Sequence, residues 1–410
     1  MGIRSFAKVQ MPKPRIIILM HYLELGGAEM ALIGLLNALD PERVDVDLFV
    51  YSHQGPLMSF IPEWVNLQPE VKAYSMIERP MGEALRNGQF AVVTGRLLAR
   101  MRHKRHIRKA RFTGDDGSIM QYVGNCVTPM LPKINPEVEY DLCISFLTPH
   151  NIGRDKVRAR KRLAWIHTDY STVHVNAALE LPVWGAYDCI AAISPEVHSS
   201  FIRTFPALKS KVVDIENILS SDFVRQRAEE TDVKAEFSGS VNLLSIGRFC
   251  TAKNYDNVPD IARRIIESGH PDLKWYIIGF GGDEVLIRRK ISEAGMEEHV
   301  ILLGKKENPY PYIKACDIYV QPSRYEGKSV TVREAQMLGK PVAVTAYPTA
   351  ASQINDGIDG VIVPLDNEGC ARALAEFIKD NDKQRSLIEY CKNNDFSNVS
   401  EVEKIYNLLK

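Results

Sequence analysis

Short, almost wholly apolar runs alternate with longer segments of helical period along this 410-residue chain, and the alternation occurs in two successive sets. A strand covered by helices on both faces of a parallel sheet reads as an unbroken apolar run, so the pattern predicts βαβ units rather than a sandwich or a bundle. In the first set, strands are predicted at 16–20, 44–50, 142–146, 163–166, 189–193 and 212–215. A helix follows the first of them, with Leu32, Leu35, Leu36 and Leu39 on one face. The second set begins at 242–246 and continues at 275–278, 300–303, 318–321, 342–345 and 361–363, with a helix over 329–338. Residues 220–239 between the sets are polar and charged. The expected organisation is an α/β chain with a first domain at 1–220, a linker at 221–240 and a second domain at 241–395. A C-terminal helix over 396–410 could pack back on the first domain. Open parallel sheets bind ligands beyond the carboxyl ends of their strands, so two doubly wound, Rossmann-like domains are expected to face a central cleft and share the site.

The length suits two cores, each large enough to stand alone. Apolar residues at 45% and charged residues at 25% are ordinary for a globular protein. Acids and bases balance at 51 each, which leaves no global field to gather nucleic acid. The seven cysteines include no C-x-x-C pair and several stand inside strand-like runs, the usage of a reducing, cytoplasmic compartment. Neither a signal-peptide stretch nor a run of about 18 uncharged apolar residues is present, so no membrane span is expected.

Chemistry concentrates in PSRYEGKSVTVREA, 322–335, directly after the apolar run IYVQ. A strand, a glycine-containing loop and a helix N-terminus together form an anion site, because the first N–H groups of a helix are unpaired and its dipole is positive there. Phosphate is expected near Lys328, Ser329 and Val330. Glu326 lies in the loop, and Glu334 lies about 7.5 Å along the helix from Ser329 at ~1.5 Å per residue. Two carboxylates so spaced can hold opposite ends of one elongated ligand.

With GRFCTAKNYDN after the strand at 242–246, this segment resembles the family-4 retaining glycosyltransferases of the GT-B type, within the group 1 glycosyltransferases. Gly247, Arg248, Lys253, Pro322, Ser323, Glu326, Gly327 and Glu334 follow that family's pattern in order, and GFGGDE at 279–284 is a counterpart of its G-x-G segment. The resemblance covers most of 241–365 and is traceable across 15–220. It implies transfer of a hexose or N-acetylhexosamine from a nucleotide-sugar donor, a UDP-sugar in preference to GDP-mannose, to a glycan or lipid-linked acceptor. Arg248 and Lys253 would hold the donor diphosphate, Glu334 the ribose, Glu326 the sugar, and the backbone at Gly304 and Lys305 the base. Two cations after a strand end can neutralise the charge that grows on a leaving diphosphate, so neither metal nor cofactor is expected. The chain departs from the family at Lys328, Ser329 and Thr331, where small or apolar residues are usual.

In the N-terminal half, Gly26 and Gly27 in GGAE match the family's glycine-rich loop, and His167 in WIHTDY stands where the family has a histidine beside the sugar. His150 is the alternative candidate. Residues 96–111, from Arg96 to Arg111, carry eight Lys or Arg and no acid, interleaved with Leu97, Leu98, Met101 and Ile107. That composition suits peripheral contact with the anionic inner face of a membrane. A dinucleotide-binding dehydrogenase is disfavoured because G-x-G-x-x-G is missing after the first strand. A non-hydrolysing nucleotide-sugar epimerase or an inactive nucleotide-sugar-binding module are the remaining rivals.

Overall fold

The computed structural model describes residues 12–24, 26–110, 117–171, 173–326 and 329–410. They form two compact units, one running to Ile218 and joined by Val399–Lys410, the other spanning Leu219–Asn398.

The first unit holds β1 Arg15–Met20, β2 Asp45–Val50, β3 Asn66–Leu67, β4 Tyr140–Ser145, β5 Ala159–Ile166, β6 Cys189–Ala192 and β7 Val212–Asp214. They pair in parallel in the order β3-β2-β1-β4-β5-β6-β7. The order reverses between β1 and β4, and at that switch point the connections leave to opposite sides and open a crevice. Ile16 to Met20 are wholly buried, as a strand with helices on both faces requires. One core layer gathers Ile17, Leu19, Phe49, Tyr74, Val92 and Tyr140, and another gathers Ile166, Trp184, Tyr187, Phe201 and Phe205.

The stretch between β2 and β4, which carries no regular pattern in the sequence, holds the 21-residue helix Phe90–Ala110 and its partner Ser118–Val127. The final helix Val402–Leu408 belongs to this unit as well. Tyr406 Oη accepts the Asp40 N–H at 2.7 Å, Arg43 pairs with Glu403, and the Arg43 guanidinium lies 3.6 Å from the Tyr406 ring centre.

The second unit holds β8 Val241–Ile246, β9 Leu273–Ile278, β10 Val300–Gly304, β11 Ile318–Gln321, β12 Val342–Thr345 and β13 Val361–Val363. Their order is β10-β9-β8-β11-β12-β13, all parallel, with the switch between β8 and β11. Val258, Ile261, Ala262 and Ile265 of helix Val258–Glu267 pack with Leu243, Trp275 and Ile277, each large side chain contributing roughly 1.5–3 kcal/mol by leaving water. Trp275 Nε1 donates to Ser245 Oγ at 2.9 Å, and Ser245 Oγ donates to the Val320 carbonyl at 2.6 Å, a buried relay that ties β9, β8 and β11 together beneath the switch point.

The segment read as a linker is structured. Ser220 caps helix Ser221–Ala228 by accepting the Phe223 N–H, and Val224 and Ala228 are buried as the helix packs on helices Tyr310–Ala315 and Val330–Met337. Its polar composition hides the helix because only one narrow face is apolar. All seven cysteines are free, and six of them are buried.

Candidate active site

In the second unit, the expected donor residues stand where the strands flanking the switch point end. Gly247 follows β8 and hydrogen-bonds through its N–H to the Ile278 carbonyl at 3.0 Å. A Cβ there would lie 2.8 Å from Tyr255 Oη, and one on Gly279 would lie 1.9 Å from the Gly247 carbonyl oxygen. Only glycines let the ends of β8 and β9 approach so closely. Arg248 then turns outward. It is exposed and, among the described residues, has no ion-pair partner.

Lys253 closes the short 3-10 turn Thr251–Lys253, and the following Asn254 takes a left-handed φ of 61°. This bend brings Lys253 Nζ to 2.6 Å from Glu326 Oε1, with only 19% and 12% of the two side chains exposed. Glu326 Oε1 also accepts Ser323 Oγ at 2.6 Å and Gln321 Nε2 at 3.0 Å. Three donors thus fix the carboxylate at the end of β11. Arg324 clamps the Lys253 turn from the same loop. Its guanidinium holds Asp256 through two bonds of 2.9 and 2.8 Å and donates to the Thr251 carbonyl, while its N–H donates to the Ala252 carbonyl.

Glu334 is 5% exposed, on helix Val330–Met337. Burial pushes its pKa up to about 7, although the hydrogen bond from Tyr310 Oη at 2.8 Å works in the opposite direction. The Ser329 N–H already donates to Gln353 Oε1 at 2.9 Å, which leaves the N–H groups of Val330 and its successors for an anion. Gly327 and Lys328 lie outside the described residues. At the end of β10, Gly304 has a φ of 68° and accepts the Gly279 N–H, and Lys305 Nζ lies 5.4 Å from the centre of the half-exposed Phe280 ring.

In the first unit, Gly26 begins helix Gly27–Ala38. A Cβ on Gly26 would lie 2.2 Å from Glu29 Oε2, whereas one on Gly27 meets open space. Glu29 is almost buried, and desolvation raises its pKa. His167 follows β5 with its ring 4.7 Å from Phe146 and 6.2 Å from Trp165, and desolvation pulls its pKa down to about 3. His150 is 2% exposed and bonded through Nδ1 to Ser145 Oγ at 2.8 Å, and its pKa also falls to about 3 through burial. Both rings are therefore neutral near pH 7, and among the described residues neither Nε2 has a hydrogen-bond partner.

Sequence reasoning missed Tyr310, Arg324, Gln321 and, in the first unit, His21. The signal for His21 was its position as the first polar residue after the apolar run of β1. Tyr310 lies 24 positions from Glu334, and only the tertiary fold brings the two together.

Residues 226–394 match the family model described as glycosyl transferases group 1. Among curated proteins, the chain is similar to N-acetylgalactosamine-N,N'-diacetylbacillosaminyl-diphospho-undecaprenol 4-alpha-N-acetylgalactosaminyltransferase of Campylobacter jejuni, 29% identical over 52% of this chain and 56% of that protein. It is also similar to UDP-Gal:alpha-D-GlcNAc-diphosphoundecaprenol alpha-1,3-galactosyltransferase of Escherichia coli, 28% identical over 40% and 43%. The chain spans about half the length of the curated relatives it matches. Among solved structures, Anabaena Alr3699/HepE in complex with UDP and glucose superposes with a TM-score of 0.63 at 16% identity, over 97% of this chain and 99% of that one. TarM gives 0.64 at 12% identity over 98% and 99%. The fold is thus that of GT-B proteins, with two Rossmann-like domains built on sheets of seven and six parallel strands.

Proposed function

We propose that the chain is a glycosyltransferase that moves a hexose or N-acetylhexosamine from a nucleotide sugar, a UDP-sugar first, to a glycan or lipid-linked acceptor with retention at the anomeric carbon. The observation that carries this reading is the cluster at the β8/β11 switch point, where Lys253, Glu326, Ser323 and Gln321 converge beside the exposed Arg248. The family match over the same unit and the UDP-bound structural relatives support the donor class.

In this reading the diphosphate meets Arg248, Lys253 and the first free N–H groups of helix Val330–Met337. These preorganised charges stabilise the negative charge that develops on the leaving group, which is most of what a glycosyltransferase must supply and requires no metal. When the donor enters, Lys253 shares its ammonium protons between phosphate and Glu326. Glu326 then accepts from the sugar hydroxyls and Glu334 from the ribose, while Gly304 and Lys305 border the base. No carboxylate is assigned as a nucleophile. The leaving phosphate itself takes the acceptor proton on the face it departs from, which gives retention. His167 stands beside the sugar as a neutral hydrogen-bonding group.

The acceptor is reached at an anionic membrane face through helix Phe90–Ala110. Phe90, Leu97 and Met101 are exposed at seven- and four-residue spacing, among exposed Arg100, Arg102, Lys104, Arg105 and Arg108. Arg96 is excluded from this surface because its guanidinium donates to the Met76 and Arg79 carbonyls.

The test of donor recognition is thermal denaturation in the presence of UDP, GDP and their sugars. A nucleotide at 100 times its dissociation constant is expected to stabilise the chain by ~2.7 kcal/mol. Absence of any shift with every nucleotide would refute the reading.

A further inference from the structure

The first unit contains a cavity of about 370 Å³ that none of the donor residues lines. It opens where β1 and β2 end, beside the β1/β4 switch point, and its volume lies within the range of ~300–1,000 Å³ usual for small-molecule sites. His21 directly follows β1 and is 7% exposed, Tyr51 and Ser52 follow β2 at 4% and 6%, and the Glu78–Arg79 turn closes the opposite side.

Its polar groups are organised but incompletely paired. The His21 Nδ1–H is held by the Glu78 carboxylate, which leaves Nε2 as the ring's free atom. Burial opposes ionisation of Glu78, yet the His21 hydrogen bond and charge hold its pKa below the ordinary carboxylate value. Arg79 donates to Glu83 at 2.8 Å and to Ser52 Oγ at 3.1 Å, while its Nε has no partner among the described residues. Among the described residues, His21 Nε2, Tyr51 Oη and Arg79 Nε are three buried polar atoms without hydrogen bonds, each in a residue that lines this cavity. A buried polar group left unpaired costs roughly 1–3 kcal/mol, and a ligand that satisfies it recovers that energy. Arg96 braces the turn from behind through the Met76 and Arg79 carbonyls, so the groups are held in place before a ligand arrives.

The charges decide the ligand class. Arg79 is answered by Glu83 and His21 by Glu78, so the walls carry no surplus positive charge with which to hold a diphosphate. The packed Tyr51 and Tyr74 rings, 5.7 Å apart, form the apolar inner wall, and the half-exposed Tyr22 ring at the rim is the accessible aromatic group. Aromatic faces combined with paired donors and acceptors suit a ring that has C–H groups on its faces and hydroxyls on its edge. We infer that this cavity binds an uncharged sugar ring, with hydroxyls hydrogen-bonded to His21 Nε2, Tyr51 Oη and Arg79 Nε. Naming that ring as part of the acceptor rests on the proposed transfer reaction, whereas its binding does not.

The experiment is saturation-transfer NMR on the full chain with a panel of methyl glycosides of gluco, galacto, manno and 2-acetamido configuration, and with inorganic pyrophosphate as the anionic probe. At least one glycoside is expected to bind. His21→Ala, Arg79→Met and the rim variant Tyr22→Ala are each expected to raise its dissociation constant by ~10-fold, the scale of one hydrogen bond to a charged or well-packed group. Pyrophosphate is expected not to displace it. Near-native thermal midpoints identify the variants to be compared, and Tyr22→Ala, being half-exposed, leaves the buried layer intact. No binding of any glycoside, unchanged affinity in all three variants, or displacement by pyrophosphate would each overturn the inference. Glycoside binding by a chain that consumes no nucleotide sugar would leave the pocket standing and remove only the transfer reading.

Discussion

Glu334 shows how one buried carboxyl connects stability with recognition. Burial lifts its pKa from the ordinary carboxylate range to about 7, so between about pH 4.5 and 7 the native chain holds a proton that the unfolded chain has released. The stability due to that proton is complete below the unfolded pKa and is lost as the pH rises towards 7. Glu334→Gln is expected to flatten this decline, which urea midpoints of the two proteins across that window would measure. Equal slopes would show that the group is not protonated in the native state. The same substitution is expected to weaken nucleotide binding by roughly 10-fold, through loss of one charge-assisted hydrogen bond. Glu326→Ala is expected to act differently: its proposed partner is the sugar, so turnover falls by ~10²-fold or more while nucleotide affinity is nearly unchanged. Unchanged turnover would remove Glu326 from the mechanism. Both glutamates and Lys253 were readable in the sequence because their types and spacing are the signal. Tyr310 and Arg324 were not, because each acts through a neighbour that only the folded chain supplies, and His21 carried no signal beyond its place at the end of β1.

Among the elements, the twelve predicted strands were legible because parallel strands buried on both faces must be apolar, and their observed ends fall within a few residues of the expected ones. The two-residue β3 is too short to carry a pattern, and helix Phe90–Ala110 is apolar through its first half and basic through its second, so no single apolar stripe runs its length. That same composition supports a prediction. Exposed charges on the helix should bind vesicles containing anionic lipid at low salt and release them as salt rises, because screening shortens their reach. Equal recovery in the supernatant with anionic and neutral vesicles would exclude docking. Replacing Arg100, Arg105 and Arg108 with glutamine should abolish sedimentation without affecting donor turnover. The Arg324 clamp makes a further prediction at this scale. Arg324→Ala and Asp256→Asn each release the turn that carries Lys253, so each should lower kcat by roughly 10-fold, and the double variant should cost little more than either alone. Additive losses would show that the two residues act independently.

In the molecule as a whole, the two units divide the proposed chemistry between them. In the proposed reading, charge stabilisation and recognition of the whole donor fall to the β8/β11 switch point, and recognition of a second sugar ring falls to the ends of β1 and β2. Both sites lie beyond the carboxyl ends of parallel strands, the first at its sheet's switch point and the second at the neighbouring β1 and β2 ends. The doubling of the sheet was legible from the repeated alternation, whereas the cavity in the first unit was not, since its walls come from segments up to 62 positions apart between His21 and Glu83. The central claim is that cationic side chains do for the leaving nucleotide what a metal does elsewhere. The direct measurement is release of nucleoside diphosphate as the sugar passes to water or to an added glycoside acceptor, from a panel of UDP- and GDP-sugars with EDTA present, for the native chain and for Arg248→Ala and Lys253→Ala. Release is expected to persist in EDTA and to fall by ~10²-fold or more in each variant. Release that EDTA abolishes, or that both variants retain, would contradict the claim.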